Sequence, residues 1–290
     1  MKAIFLKELR TYFKNPLGYV FIGMMLVVFG VYYSLYTMYY QFADFYHVLN
    51  ASSSLIVFVV PVLTMRIMSE ETRNKTDQLL LTSPIKTSGI VLGKFFAAAT
   101  VFTLVLLISI LQPLTTVFGF NGEMSAAMTS GGYIAFFLLG ITFISVGMFI
   151  SSLTENQLIS AVITIAVFLI LMMLDGVEAI LPTSRYFSLG AILIMLAIVL
   201  FLIYRAIHEL VVTGIIGAGS VAALLVVFFI VPESFDGLLA KMMSSLAIFA
   251  RYSDMFSGVF DFSHIIFFIS VIIFFLFLTC QVVEKKRWNE

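Results

Sequence analysis

Eight stretches of this chain contain no Asp, Glu, Lys or Arg: residues 15–43, 45–65, 95–122, 124–154, 156–174, 186–204, 210–232 and 262–283. The shortest of them run 19 residues, and the next longest, 242–250, has only nine. Crossing about 30 Å of hydrocarbon takes roughly 20 apolar residues in a helix. A charge at the centre of such a helix costs about 2.5–3.5 kcal/mol. The pattern therefore predicts eight transmembrane helices, near 17–40, 46–66, 95–119, 131–152, 157–175, 187–205, 210–231 and 263–283. Composition agrees, with 61% hydrophobic residues and 31 Phe among 290 residues. A soluble fold of this length has no interior large enough to hide them. The expected fold class is an all-α polytopic membrane protein.

The distribution of positive charge sets the orientation. With the N-terminus inside and sides alternating, the inner segments hold Lys2, Lys7, Arg10, Lys14, Arg66, Arg73, Lys75, Lys86, Lys94, Arg205, Lys285, Lys286 and Arg287. Only Arg185, Lys241 and Arg251 fall outside. An even number of spans also returns the EKKR run at 284–287 to the cytoplasm. The pair 186–204 and 210–232 reads either as two full spans or as a re-entrant hairpin, and both choices leave the two termini inside. The first window is too long for the apolar core of a cleaved signal peptide. Cys280 stands alone, which excludes an internal disulfide.

Between the second and third windows lies EETRNKTDQLLLTSP, residues 70–84. Ser69 is placed as an N-cap, with Glu70 and Glu71 in a first turn where the helix dipole favours acids. Glu71 with Lys75, and Arg73 with Asp77, stand at i, i+4 spacing. Leu79, Leu80 and Leu81 form an apolar end, and Pro84 stops the helix before a fresh start at Thr87 or Ser88. The expectation is a rigid cytoplasmic elbow over 69–88; a plain solvated loop is the competing reading.

Ahead of the first span, Phe5, Leu9, Tyr12 and Phe13 recur at helical spacing with Lys7, Arg10 and Lys14 on other faces. Residues 1–14 are therefore expected to form an amphipathic interfacial helix, its stripe in acyl chains and its cations near anionic lipid. Asn15-Pro16 marks a break before the span. Gln112-Pro113 predicts a kink in the third span. Gly214, Gly217, Gly219 and Ser220 read as small residues at a helix–helix contact.

Catalytic and metal chemistry find no support. The nearest approach to a phosphate loop, GIVLGKF at 89–95, has three residues between its glycines where four are needed, and Phe follows the Lys. No H-E-x-x-H, C-x-x-C or G-x-S-x-G occurs. The formal charge of +0 says nothing by itself about a basic or acidic partner, only its distribution can, and no nucleic acid is expected as a partner.

The segment SEETRNKTDQLLLTSPIKTSGIVLGKF, Ser69–Phe95, resembles the signature of ABC-2 type transporter membrane subunits. FLKELRTYFKNPLGYV (5–20) is similar to that family's entry helix, PVLTMR (61–66) to the end of its second span, and SSLTENQ (151–157) to its second cytoplasmic loop. RYSDMFSGVFDFSHIIFFIS (251–270) resembles the outer segment leading into the last span. The nearest branch is that of the gliding-motility and copper-enzyme-maturation permeases. Two positions depart from the pattern: Lys75 stands where Gly is expected and Gln78 where Glu is expected. The block at about 180–232 also adds two apolar helices to the usual six-span core.

The resemblance implies an ABC-2 type (type V exporter-like) transmembrane domain in the plasma membrane of a bacterium. It implies no cofactor in this chain and no enzyme activity of its own. ATP and magnesium belong to a separate ATPase, present in two copies per transporter. It further implies a second permease protomer, identical or paralogous, and contact with membrane lipid; an extracytoplasmic accessory protein is a further candidate partner. The elbow would be a coupling helix touching the ATPase through Glu70, Glu71, Arg73, Thr76, Leu79, Leu80, Thr82 and Pro84, with Glu155, Asn156 and Gln157 as a smaller second contact. The outer amphipathic segment 233–261 would close the exit, with Phe249, Phe256, Gly258 and Asp261 as a candidate outer gate. Two other readings stay open. One is an ABC-coupled anchor that moves an extracytoplasmic partner without exporting a small substrate. The other is an unrelated membrane protein or intramembrane enzyme, which would need catalytic groups facing each other at mid-membrane, where the eight windows offer no carboxylate or base.

Overall fold

The computed structural model describes residues 1–76, 85–120, 125–182, 184–207, 210–230, 232–255 and 261–289. Helices dominate: α1 Lys2–Lys14, α2 Pro16–Tyr33, α3 Tyr46–Thr64, α4 Ser69–Arg73, α5 Thr87–Ser109, α6 Leu111–Phe120, α7 Ala126–Leu153, α8 Gln157–Ile180, α9 Arg185–Ile207, α10 Leu210–Ile230, α11 Leu238–Leu246, α12 Ile248–Asp254 and α13 Phe262–Asn289. No strand occurs among the described residues. Six helical segments are long and apolar enough to cross a membrane: Pro16–Tyr39, Tyr46–Arg73, Thr87–Phe118, Ala126–Leu153, Gln157–Leu174 and Phe262–Arg287. These contain six of the eight charge-free windows in whole or large part, and α9 and α10 carry the other two.

Local chemistry explains the breaks. Asn15 is extended (φ −92°, ψ 150°), and Pro16 opens α2 at the first helical position, where its missing N–H would have had no partner anyway. α5 ends at Ser109 and α6 starts at Leu111, so Pro113 again lies in a first turn. α2 continues into a π-helical turn over Ser34–Tyr39.

The chain divides into two compact units, Met1–Ile170 with Arg251–Glu290, and Leu171–Ala250. In the first, α7 is the central helix and packs on α3, α5 and α13. Of its membrane-length window 72% is buried, against 17% for the windows of Gln157–Leu174 and Phe262–Arg287, which therefore line the outside of this unit. The core is aromatic: Phe21, Phe29, Phe102, Phe136, Phe143 and Phe168 are fully buried. Phe102 and Phe136 stack at 6.0 Å, and Phe143 and Phe168 at 4.2 Å. Two glycines seven residues apart let neighbouring helices close on α7. A Cβ at Gly140 would run into the Phe102 ring of α5, and one at Gly147 into Thr64 of α3. The Tyr252 hydroxyl donates to the Leu49 carbonyl at 3.1 Å and ties α12 to α3.

α1 packs along α5, so one of its faces is bound to the protein. Ile4 is buried and fits over Gly93, whose Cβ would lie 3.1 Å from Ile4 Cγ2. The protein-facing stripe is Ile4, Glu8 and Tyr12, with the Tyr12 hydroxyl donating to the Leu63 carbonyl at 3.5 Å. This corrects the expected acyl-chain stripe by one residue. Phe5, Leu9 and Phe13 flank it half-buried, whereas Tyr12 turns inward because its hydroxyl finds a carbonyl there.

In the second unit α9 and α10 pack together, and the 3-10 turn Pro232–Phe235 and α11 fold onto them. Gly217 lies at this contact, its Cβ position 3.1 Å from Leu200, while Gly219 faces open space. Phe228 meets Phe235 edge-on at 5.2 Å, and Arg185 pairs with Asp236 at 3.5 Å.

Candidate functional site

The polar residues of the first unit concentrate where α1, the end of α3, α4 and the start of α5 meet. This is the end at which most of the basic residues of the unit gather, the one expected from charge to face inward. Lys94 is its centre, on α5 and only 2% exposed. A buried ammonium has three hydrogens to satisfy and a large desolvation cost to offset. Here Nζ lies 2.7 Å from Glu71 Oε2, 2.7 Å from the Ile67 carbonyl and 3.5 Å from Glu8 Oε1. Lys7 closes the cluster from α1, with Nζ at 3.1 Å from Glu71 and 3.6 Å from Glu8. Burial pulls the Lys7 ammonium down, but the Glu71 and Glu8 carboxylates outweigh it and hold the group above its ordinary value. Next to them Arg66 grips Glu70 with two N–H groups, Nε at 2.7 Å from Oε2 and Nη2 on Oε1. Three cations, Arg66, Lys7 and Lys94, thus face three acids, Glu8, Glu70 and Glu71.

Two of the local expectations for the elbow are corrected here. Ser69 is not an N-cap. It is buried as the first residue of α4, and its Oγ donates back to the Met65 carbonyl. The Met68 and Ser69 amides go instead to Ser151 Oγ of α7, each at 3.2 Å, and that hydroxyl in turn donates to the Met65 carbonyl at 3.2 Å. Glu71 does not pair with Lys75; it is held by Lys7 and Lys94. The reason is a turn. α4 stops at Arg73, and Lys75 adopts the left-handed conformation with φ +54°. The Thr76 amide bonds to the Glu71 carbonyl at 3.0 Å and the Lys75 amide to the Thr72 carbonyl at 3.2 Å. That pair of bonds around a left-handed residue is a Schellman termination, a position glycine normally fills. Lys75 carries a side chain into a conformation that disfavours one by about 1–2 kcal/mol. Lys75→Gly is therefore expected to raise stability by about 1 kcal/mol, read as a higher thermal midpoint in detergent.

The other predicted inner contact lies beside this turn. Arg73, Glu155, Asn156, Gln157 and Leu158 line one open depression. Asn156 Oδ1 accepts the Leu158 amide at 2.9 Å and so caps α8. From α13, Lys286 Nζ reaches Thr72 Oγ1 at 3.4 Å.

A sequence model described as "ABC-2 family transporter protein" matches residues 3–184, from α1 through α8. The chain belongs to the ABC-2 transporter family. It is a multi-pass membrane protein of the permease type. No curated protein and no solved structure matches it.

Within this ABC-2 permease the residues anticipated as the ATPase contact divide in two. Glu70 and Glu71 are engaged inside the chain. Arg73, Glu155, Asn156 and Gln157 come together at the surface, and Thr76 is exposed next to them. Leu79, Leu80, Thr82 and Pro84 lie outside the described residues, as do Asp77 and Gln78. Of the anticipated gate residues, Phe249 is buried, and Asp261 Oδ1 accepts the Ser263 amide at 2.8 Å at the start of α13. Phe256 and Gly258 lie outside the described residues. No cluster of three or more His, Cys, Asp or Glu side chains with metal-binding geometry forms among the described residues. Lys94, the lysine of GIVLGKF, is taken up by carboxylates and a carbonyl, which leaves no hydrogen for a phosphate.

Glu8 and Ser151 were not singled out by the sequence. Glu8 carried a signal: it stands four residues from Ile4 and from Tyr12, an acid on the stripe that packs inward. Ser151 carried none, because its three partners lie more than 80 positions away.

Proposed function

We propose that this permease is the membrane half of an ATP-binding cassette exporter in the plasma membrane. A separate ATPase subunit, present twice, binds ATP and magnesium and hydrolyses the nucleotide. Two permease protomers, identical or paralogous, frame the path, and α9 and α10 add a pair of spans to a six-span core. Closure of the ATPases pushes on the elbow at 69–88 and on the loop at 151–157. Residues Arg73, Thr76, Leu79, Leu80, Thr82 and Pro84 of the elbow and Glu155, Asn156 and Gln157 of the loop form the contact, with Glu70 and Glu71 holding the elbow from behind. At the outer end, Phe249, Phe256, Gly258 and Asp261 belong to the segment that gates release.

One observation carries this reading. Arg73 of the first loop and Glu155, Asn156 and Gln157 of the second line a single depression, although more than 80 residues separate them in sequence. A partner docking there touches both loops at once, which is what a rigid-body push requires.

The test is co-expression with the ATPase encoded beside the permease, followed by purification in detergent. A stable complex that hydrolyses ATP is expected, and Leu80→Asp, at the apolar end of the elbow, is expected to strip the ATPase from it. An ATPase that never binds, or that ignores Leu80→Asp, would count against coupling through the elbow. Hydrolysis without efflux of any cargo would favour a mechanical anchor instead.

A further inference from the structure

Resting on the ATPase coupling proposed above, the charges at the cytoplasmic end can be sorted by what is left over. Glu8, Glu70 and Glu71 are matched by Lys7, Arg66 and Lys94 inside the chain, so this cluster is electrically closed. Glu70 and Glu71, which by sequence look like part of the elbow's contact face, are turned inward.

Among the described residues, the remaining charges at this end are mainly positive. Arg73 is exposed at the end of α4 and has no acidic partner among the described residues. Lys75 follows it, exposed, on the left-handed turn. The Lys286–Thr72 contact brings the end of α13 alongside, with Lys285 and Arg287 exposed. Against them stand the exposed acids Glu155 and Glu284. Cations that are unpaired and half in water are little desolvated, so they are available to a partner and costly to bury against like charge.

We infer that the docking groove of the ATPase is acidic and that Arg73, with Lys285 and Arg287 from α13, supplies the charges that meet it. Glu70 and Glu71 are positioning residues: they fix α4 to α3, α1 and α5 so that Arg73 faces outward. The C-terminal end of α13 is thereby a third element of the docking surface, beside the elbow and the 151–157 loop. Anionic lipid is the competing claimant for these cations, and the inference commits to the ATPase because Arg73 lines the depression shared with Glu155, Asn156 and Gln157.

The experiment compares four forms of the permease, each co-expressed with its ATPase and purified in detergent without anionic lipid. They are wild type, Arg73→Glu with Arg287→Glu, the neutral pair Arg73→Gln with Arg287→Gln, and Glu70→Gln. Retained ATPase is measured while sodium chloride rises from about 0.05 to 0.5 M, a range over which screening shortens from over 10 Å to under 5 Å. Wild type is expected to lose ATPase progressively with salt. The reversal pair is expected to retain at least about tenfold less at the low end, and the neutral pair an intermediate amount. Glu70→Gln is expected to lose ATPase only in step with a fall in its thermal midpoint, because it acts on docking through the placement of Arg73. Three results would overturn the inference: retention that ignores both arginine pairs, Glu70→Gln releasing the ATPase with an unchanged midpoint, or the arginine pairs altering only binding to phosphatidylglycerol vesicles. If wild type retains no ATPase at any salt, the coupling reading itself fails, an outcome distinct from these.

Discussion

Lys94→Met is expected to destabilise the protein by about 3–5 kcal/mol, the range seen when one partner of a buried ion pair is removed. The substitution keeps an unbranched side chain one atom shorter and takes away all three N–H donors. Glu71 and Glu8 are then left facing each other with Lys7 alone between them, and the Ile67 carbonyl loses its donor. The measurement is the thermal midpoint of the protein in detergent, followed by limited proteolysis at Lys2, Lys7 and Arg10 on α1. α1 and α4 are both tied to α5 through this ammonium, so the two should loosen together. Restoring neutrality should reverse the loss. Lys94→Met combined with Glu8→Leu and Glu71→Leu is expected to recover most of the midpoint, because a wholly apolar replacement of a buried charge cluster is near neutral. A single substitution with wild-type stability would mean that water, not the carboxylates, solvates Lys94.

Gly147→Val is the second large effect. At this position a Cβ would meet Thr64 Oγ1 and lie 2.8 Å from Thr64 Cβ. Thr64 is fully buried at the end of α3, so it has nowhere to retreat. Overpacking of this kind costs about 1–3 kcal/mol, and the two further methyl groups of valine put the expectation at the upper end. The displacement should also reach the elbow, since Met65 follows Thr64 and Ser151 follows Gly147 by one helical turn. The expected readout is a lower thermal midpoint together with faster proteolysis at Arg73 and Lys75. Gly23→Ala is the control: a Cβ there has nothing within 4 Å. It should be neutral or stabilise α2 by up to about 1 kcal/mol.

What could be read from the sequence follows a physical divide. Charge-free length reports on the solvent around a helix, and the structure puts six of the eight windows in helices long and apolar enough to cross a membrane. Pro16 and Pro113 act through their own missing N–H and ring, so both breaks fall where the sequence places them. The charged contacts were less legible because they are not local. Lys75 was the nearest basic residue at helical spacing from Glu71, yet the left-handed turn at Lys75 ends the helix before that spacing applies. The partners that win, Lys7 and Lys94, come from other helices. Where the resembling family pattern carries glycine, this chain has a lysine and still makes the turn, so the position is set by backbone geometry rather than by side-chain chemistry. Gly140 and Gly147 are illegible in the sequence for the opposite reason. A glycine that matters for what would touch it is invisible until the neighbouring helix is in place.

The hydroxyl of Ser151 accepts two amides from the start of α4 and donates to the last turn of α3, while its own helix ends two residues later in the 151–157 loop. One oxygen atom is therefore a rivet through both loops at this end. Loops joined only by packing can slide against each other; loops that share a rivet and its three bonds have to travel the same distance in the same direction. Whatever presses on this end of the protein addresses a single plate, and the helices α3 and α7 leave that plate as two legs of one frame.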